Sequence, residues 1–326
     1  MIDRRRFLFS SAALAASGPA VPAAALAQAA WPTRPISIVI LFGAGSGTDT
    51  MARLFAEKLA AQVGQPVTVD NKPGGNGTIA GAFVARAAPD GQTLMFTSNT
   101  SHAAAPALVR NMPYDPVRDF EPVGLIGLVP FVMVATPDAP FNNVKELVAY
   151  AKANPGKLSY GSGNSTGVIA GETLKRLAGI DVLHVPYKSV PPALNDLLGG
   201  TVQYLFADVG TVLPHIKAGR VKAITSISSQ RSPNLPDLQT LREQGIPFDL
   251  DGWYAVFAPA KTPRPIVDRL NAIIREEYSK PEMQQRMRDI NVILKLGTPE
   301  DLATFQQAEL EKWLRLAREA GIQPEG

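Results

Sequence analysis

Pro35-Ile36-Ser37-Ile38-Val39-Ile40-Leu41-Phe42-Gly43-Ala44-Gly45-Ser46-Gly47-Thr48-Asp49 is the stretch that decides the fold. Its first half is a near-continuous apolar run, the pattern of a strand covered on both faces. Five small residues, Gly43 to Gly47, then turn the chain. Beyond them Met51, Leu54, Phe55, Leu59 and Val63 recur on one helical stripe, and Gly64 is a natural stop. Val67-Thr68-Val69 follows at once as a second strand. A tight turn between a buried strand and a helix aims the first unpaired backbone N–H groups of that helix at one point, where the dipole adds about half a positive charge. Small residues let an anion approach that point closely. An ordinary strand-to-helix turn with Thr48 or Asp49 as N-cap is the plainer alternative. A dinucleotide fingerprint fails on spacing, because the glycines fall at 43, 45 and 47 and Thr48 occupies the position that needs the last one.

Outward from this unit the alternation continues. The Asn71–Gly77 loop precedes an expected helix over 78–87, and Pro89-Asp90-Gly91 turns into a strand over 93–97. The pattern then restarts: a strand at 131–135, a helix at 144–153, a strand at 157–160, and the turn Gly161-Ser162-Gly163-Asn164-Ser165-Thr166-Gly167 opening a helix over 168–178. Further strands are expected at 182–185, 202–207 and 221–226, with helices at 192–198 and 211–217 between them. The C-terminal part reads as helical, with Thr262-Pro263 and Thr298-Pro299 as N-cap-plus-proline starts. Strand-helix alternation of this kind means an α/β protein with mainly parallel sheets. Two successive units, each with a glycine- and serine-rich turn, suggest two lobes of similar build.

Three places carry candidate ligand groups. The first turn offers backbone donors. The second, with Ser162, Gly163, Asn164, Ser165 and Thr166, fits G-x-S-x-G between strand and helix, the setting of a nucleophile elbow. A hydrolase using Ser165 would need an acid and then a histidine downstream, and only Asp208 followed by His215 offers that order. An N-cap or a ligand hydroxyl is the better reading of Ser165. Asp208 ends an apolar strand, where open α/β sheets bind ligands, and either meets a polar ligand group or caps the next helix. Thr97-Ser98-Asn99-Thr100-Ser101-His102 likewise ends a strand, with Ser98 and Asn99 as candidate hydrogen-bonding groups.

The ends and the composition limit the function. Arg4-Arg5-Arg6 before Phe7-Leu8, an uncharged Ala-rich stretch and Ala25-Leu26-Ala27 have the layout of a signal peptide, residues 1–27, of twin-arginine type. Those residues carry three arginines and one aspartate, so the formal charge of +3 falls to +1 without them. The basicity is then no argument for nucleic acid. With no cysteine and three scattered histidines, no metal centre and no cofactor is expected. The apolar run 123–135 is broken by Pro130 and too short to span a bilayer, which takes about 20 residues.

Several ordered segments resemble the substrate-binding proteins of tripartite tricarboxylate transporters, the Bug family. They include Gly64-Gln65-Pro66-Val67, Asn71-Lys72-Pro73-Gly74-Gly75, Pro89-Asp90-Gly91-Gln92-Thr93-Leu94, Pro113-Tyr114-Asp115-Pro116, His184-Val185-Pro186-Tyr187-Lys188 and Asp196-Leu197-Leu198-Gly199-Gly200. The resemblance covers nearly all of the chain beyond residue 27. It implies a type II periplasmic binding protein fold, with residues 28–131 and 251–326 as lobe 1, residues 132–250 as lobe 2, and a ligand cleft between them. It implies a periplasmic protein that captures a small carboxylate and hands it to the membrane components of the transporter, with a periplasmic sensor or solute chaperone as the alternative. A monomer is expected, and without a paired-acid, metal or triad constellation the chain is read as not an enzyme. The ligand-binding residues it implies are Phe42, Gly45, Ser46, Gly47 and Thr48 from the first turn, Ser162 to Thr166 from the second, and Asp208. Two departures fall at the ligand. Ala44-Gly45-Ser46-Gly47-Thr48 stands where the family has Pro-Gly-Gly before its Asp, and Val168 lies near where a histidine is usual. The ligand is therefore not inherited from any one relative.

Overall fold

A computed structural model describes residues 31–325. The signal-peptide reading of residues 1–27 lies outside the described residues. The chain opens with β1 (Ile36–Ile40), α1 (Gly47–Val63), β2 (Val67–Asn71), α2 (Thr78–Ala85) and β3 (Thr93–Ser98). A π-helical turn over Thr100–Ala104 leads to α3 (Ala105–Leu108) and then β4 (Phe120–Val129). Next come β5 (Phe131–Ala135), α4 (Val144–Ala153), β6 (Ser159–Ser162), α5 (Ser165–Ala178) and β7 (Leu183–Pro186). α6 (Val190–Leu198), β8 (Tyr204–Asp208), α7 (Val209–Lys217) and β9 (Lys222–Ser226) complete that half. The last part holds β10 (Gly252–Pro259), α8 (Arg264–Ser279), α9 (Pro281–Asp289), β11 (Ile293–Leu294) and α10 (Pro299–Glu319).

These strands form two sheets. One runs β11-β4-β10-β3-β1-β2 and the other β7-β6-β8-β5-β9. In the first, β1 pairs parallel with β2 and β3, as the opening sequence requires, and β10 is antiparallel to β3 and β4. In the second, β6 is parallel to β7 and β8, while β5 is antiparallel to β8 and β9. The chain passes from one sheet to the other at Pro130, which has no N–H to continue a ladder and stands between β4 and β5. It returns between β9 and β10. The two passages are tied together. Phe131 N–H donates to Ser228 Oγ at 3.2 Å, Ile227 N–H to the Phe131 carbonyl at 3.0 Å, and Leu250 N–H to the Ile227 carbonyl at 2.7 Å.

Each sheet carries its own core. Val132, Val134, Leu194, Leu197, Leu205 and Val212 pack together on the second. On the first, α8 and α10 both lie against β4. α10 begins with a full capping box, Thr298 with Asp301. Its buried Glu309 accepts from the indole N–H of Trp253 at 2.9 Å and of Trp313 at 3.1 Å. Among the described residues no helix is long and apolar enough to cross a membrane.

Four local expectations change. α3, β4, β10, α9 and β11 are additional to the elements expected from the sequence. α5 starts at Ser165, three residues before the apolar stripe. α7 starts at Val209, directly after β8. Thr262 is no N-cap: its hydroxyl donates to the Pro259 carbonyl at 2.7 Å, and Pro263 precedes the first turn of α8 with no side-chain cap bond.

Candidate functional site: the cleft between the two sheets

The strand ends of both sheets meet at one cavity of about 20 Å³, room for roughly one water molecule. From the first sheet come Phe42, Ser46, Gly47 and Thr48 of the first turn and Ser98 and Asn99 at the end of β3. From the second come Gly163, Asn164, Thr166 and Asp208. The structure thus brings together ten of the thirteen candidate residues.

At the first turn Ser46, not Thr48 or Asp49, is the N-cap of α1. Its Oγ accepts the Asp49 N–H at 3.2 Å, and its carbonyl accepts the Thr50 N–H at 3.0 Å. The N–H groups of Gly47 and Thr48 are left without intrahelical partners. Asp49 braces the turn from behind, accepting the Gly45 N–H at 3.0 Å, Asn71 Nδ2 at 2.9 Å and an ion pair from Arg53 at 2.9 Å. Burial alone would raise its carboxyl, but the bonds from Arg53, Asn71 and Gly45 outweigh that and hold it below the usual range.

The second turn repeats the device. Asn164 caps α5 by accepting the Gly167 N–H at 2.9 Å. Two further helices begin at the same cavity: α6 at Val190, with Ser189 as an N-cap that makes no side-chain bond, and α7, capped by Asp208. Four helix N-termini therefore face the cleft, where the sequence suggested two.

Asp208 fills the second of the two roles the sequence offered, the helix cap. It caps α7, taking the Thr211 N–H at 2.9 Å and the Thr211 hydroxyl at 2.8 Å, and it lines the cavity. It is 5% exposed, and among the described residues no Lys, Arg or His lines the cavity beside it. Burial pushes its carboxyl upward, and the Thr211 bonds pull it back only in part. Its Oδ1 and the Tyr254 hydroxyl both press on Gly47, where an added Cβ would lie 2.7 and 2.5 Å from them.

Gly45, Ser162 and Ser165 do not line the cavity. Gly45 shapes the turn at φ 79°, a conformation suited to glycine. The Ser162 hydroxyl pairs with His184 Nε2 at 2.6 Å, joining β6 to β7. Ser165 Oγ bonds Asn99 and Thr100 and no histidine, so the nucleophile-elbow reading has no base. Among the described residues no group of three His, Cys, Asp or Glu is placed to hold a metal.

The sequence reading placed Thr100 in a polar run without singling it out, and missed Val129, Phe131, Val190, Gly252, Trp253 and Tyr254; all line the cavity. Val190 had a usable signal, since Ser189-Val190-Pro191-Pro192 is a helix start with early prolines. Trp253 and Tyr254 lie on the unassigned β10, and the apolar run 253–258 pointed to it.

Two α/β lobes joined by two crossing segments, with helix N-termini facing a shared cleft, define a solute-binding protein of the two-lobed periplasmic type. The chain belongs to the family of tripartite tricarboxylate transporter receptors (TctC), whose family model matches residues 51–322. It is 37% identical over 291 residues to a UPF0065 protein of a Pseudomonas species, covering 88% of this chain and 86% of that one. A Rhodopseudomonas palustris protein solved with adipate is similar in structure, with TM-score 0.88 and 34% identity over 90% of this chain and 100% of that one. MatC from the same organism, solved with malate, has TM-score 0.83 and 33% identity over 88% of this chain and 99% of that one. The family is one of receptors, not of enzymes.

Proposed function

We propose that this chain captures a small carboxylate in the periplasm by closing two lobes on it, and delivers it to the membrane components of a tripartite transporter. The lobes are residues 28–131 with 251–326, and residues 132–250. One observation carries the reading. The first-turn residues Gly47 and Thr48 of α1 and Thr166 of α5 line one cavity that, among the described residues, no basic side chain lines. A carboxylate there is held by backbone donors and dipoles, each helix end contributing about 0.3–1 kcal/mol and up to about 2 kcal/mol when buried. Such donors are already fixed and desolvated, so little ordering opposes binding.

Gly47, Thr48 and Thr166 hold the acid in this reading, while Phe42 and Phe131 cover its apolar part. Asp208, an acid with no cation beside it among the described residues, receives an amino or hydroxyl group at the other end. One chain supplies both walls, so a monomer suffices. The cavity has room for roughly one water molecule, and in this reading the lobes part for entry. The adipate and malate held by the two structural relatives support the ligand class. The leader read in residues 1–27 supports export.

A thermal-shift screen of mono-, di- and tricarboxylates tests this. At least one acid should raise the melting temperature in a concentration-dependent way, about 2.7 kcal/mol of stabilisation at a hundredfold excess over Kd. No shift with any acid contradicts it.

A further inference from the structure

Asn99 directly follows β3, and its carboxamide bonds two other elements. Its Oδ1 accepts the Trp253 N–H, at the start of β10, at 3.3 Å. A carboxamide has one accepting and one donating end, so this bond turns Nδ2 towards the other lobe. There Nδ2 donates to Ser165 Oγ at 3.2 Å and to Thr166 Oγ1 at 3.0 Å, the first two residues of α5. Thr100 adds a hydroxyl–hydroxyl bond to Ser165 at 2.8 Å. All four side chains are at most 2% exposed, so water does not compete for these bonds, and breaking them leaves buried groups unpaired.

We propose that Asn99 and Thr100 form a clasp that locks the closed lobes together through the first turn of α5. Neither capping nor ligand contact accounts for the Ser165 hydroxyl: Asn164 is the cap of α5, and Ser165 does not line the cavity. Its two partners are both on the opposite lobe. The clasp rests on the reading that the lobes open and close, and it gives closure a component that no ligand supplies. A chain that partly closes by itself binds with an apparent affinity set by the fraction already closed. Ser165, which does not line the cavity, therefore tunes affinity without touching the ligand.

The chain has no cysteine, so Glu57→Cys on α1 and Lys145→Cys on α4, both exposed, give a unique spin-label pair across the lobes. Inter-lobe distances are measured with no carboxylate added. Ser165→Ala and Thr100→Val should each lower the closed-to-open ratio about tenfold, as loss of one or two buried hydrogen bonds implies. Because they share a bond, the double variant should fall short of the product of the two effects. Circular dichroism checks the fold, and Thr166→Val probes the second arm should Ser165→Ala not fold. A parent chain that is fully open, variants that match the parent, or effects that multiply would each overturn the clasp. Failure of every carboxylate to bind would sink the receptor reading and leave these distances as they stand.

Discussion

Gly47 shows how much one missing side chain does. It lies against Tyr254 of its own lobe and Asp208 of the other, and its backbone conformation suits alanine, so only space forbids a methyl. Gly47→Ala should therefore wedge the lobes apart, weakening carboxylate binding by about tenfold or more while leaving the ligand-free melting temperature within a degree or two. Calorimetric titration of both proteins checks this, and unchanged affinity would mean the lobes do not meet at Gly47. His102 tests the interior. Its Nδ1 lies 3.0 Å from Ser101 Oγ, its Nε2 has no partner among the described residues, and its ring stacks on Phe257 at 4.2 Å. Full burial pushes the imidazole down to about 3. The unfolded chain takes up that proton near pH 6.5, so between there and about pH 3 it binds more protons than the folded chain. Stability should fall by about 1.4 kcal/mol per pH unit across that window, and His102→Gln should lack this slope. Equal acid slopes in denaturant melts of the two proteins would contradict the burial of a neutral ring. The sequence placed these residues well where a side chain's neighbours are local. It was silent on Gly47 against Asp208, because contact across 161 positions leaves no mark on spacing.

At the scale of elements, punctuation was the most legible feature. Gly64 ends α1 at φ 68°, and Thr298 with Asp301 starts α10. β4 was hidden by Pro122, which argues against a strand. The structure resolves the conflict with a register irregularity, since Pro122 faces Phe257 where the β4–β10 pairing shifts. β10 is buried at every position and so shows no alternation. The early start of α5 has a tertiary cause: Ser165, Thr166 and Gly167 are poor helix formers, and the Ser165 and Thr166 hydroxyls are held from the other lobe. Asn164 then carries the helix start. Asn164→Ala should cost about 1 kcal/mol, read as a lower denaturation midpoint, and Asn164→Ser should recover most of it. An alanine variant as stable as the parent would show that the clasp, not the cap, holds the first turn.

The whole molecule repeats one idea on two sheets. Parallel strands deliver helix N-termini to one edge, and an antiparallel strand fed by the crossing, β5 or β10, brings aromatic groups to the same edge. The repetition was visible in two small-residue turns, and their meeting across a cleft followed from the family resemblance, not from spacing. Ligand identity was illegible for a physical reason: backbone donors are the same in every residue, so a site built from them leaves little trace in side-chain chemistry. The central claim is that such donors select an anion. Titration calorimetry with the best-binding carboxylate and its carboxamide, at matched ionic strength, tests it directly. The account predicts that the amide binds at least about tenfold more weakly, a loss of about 1.4 kcal/mol or more. Equal affinity for acid and amide would contradict it.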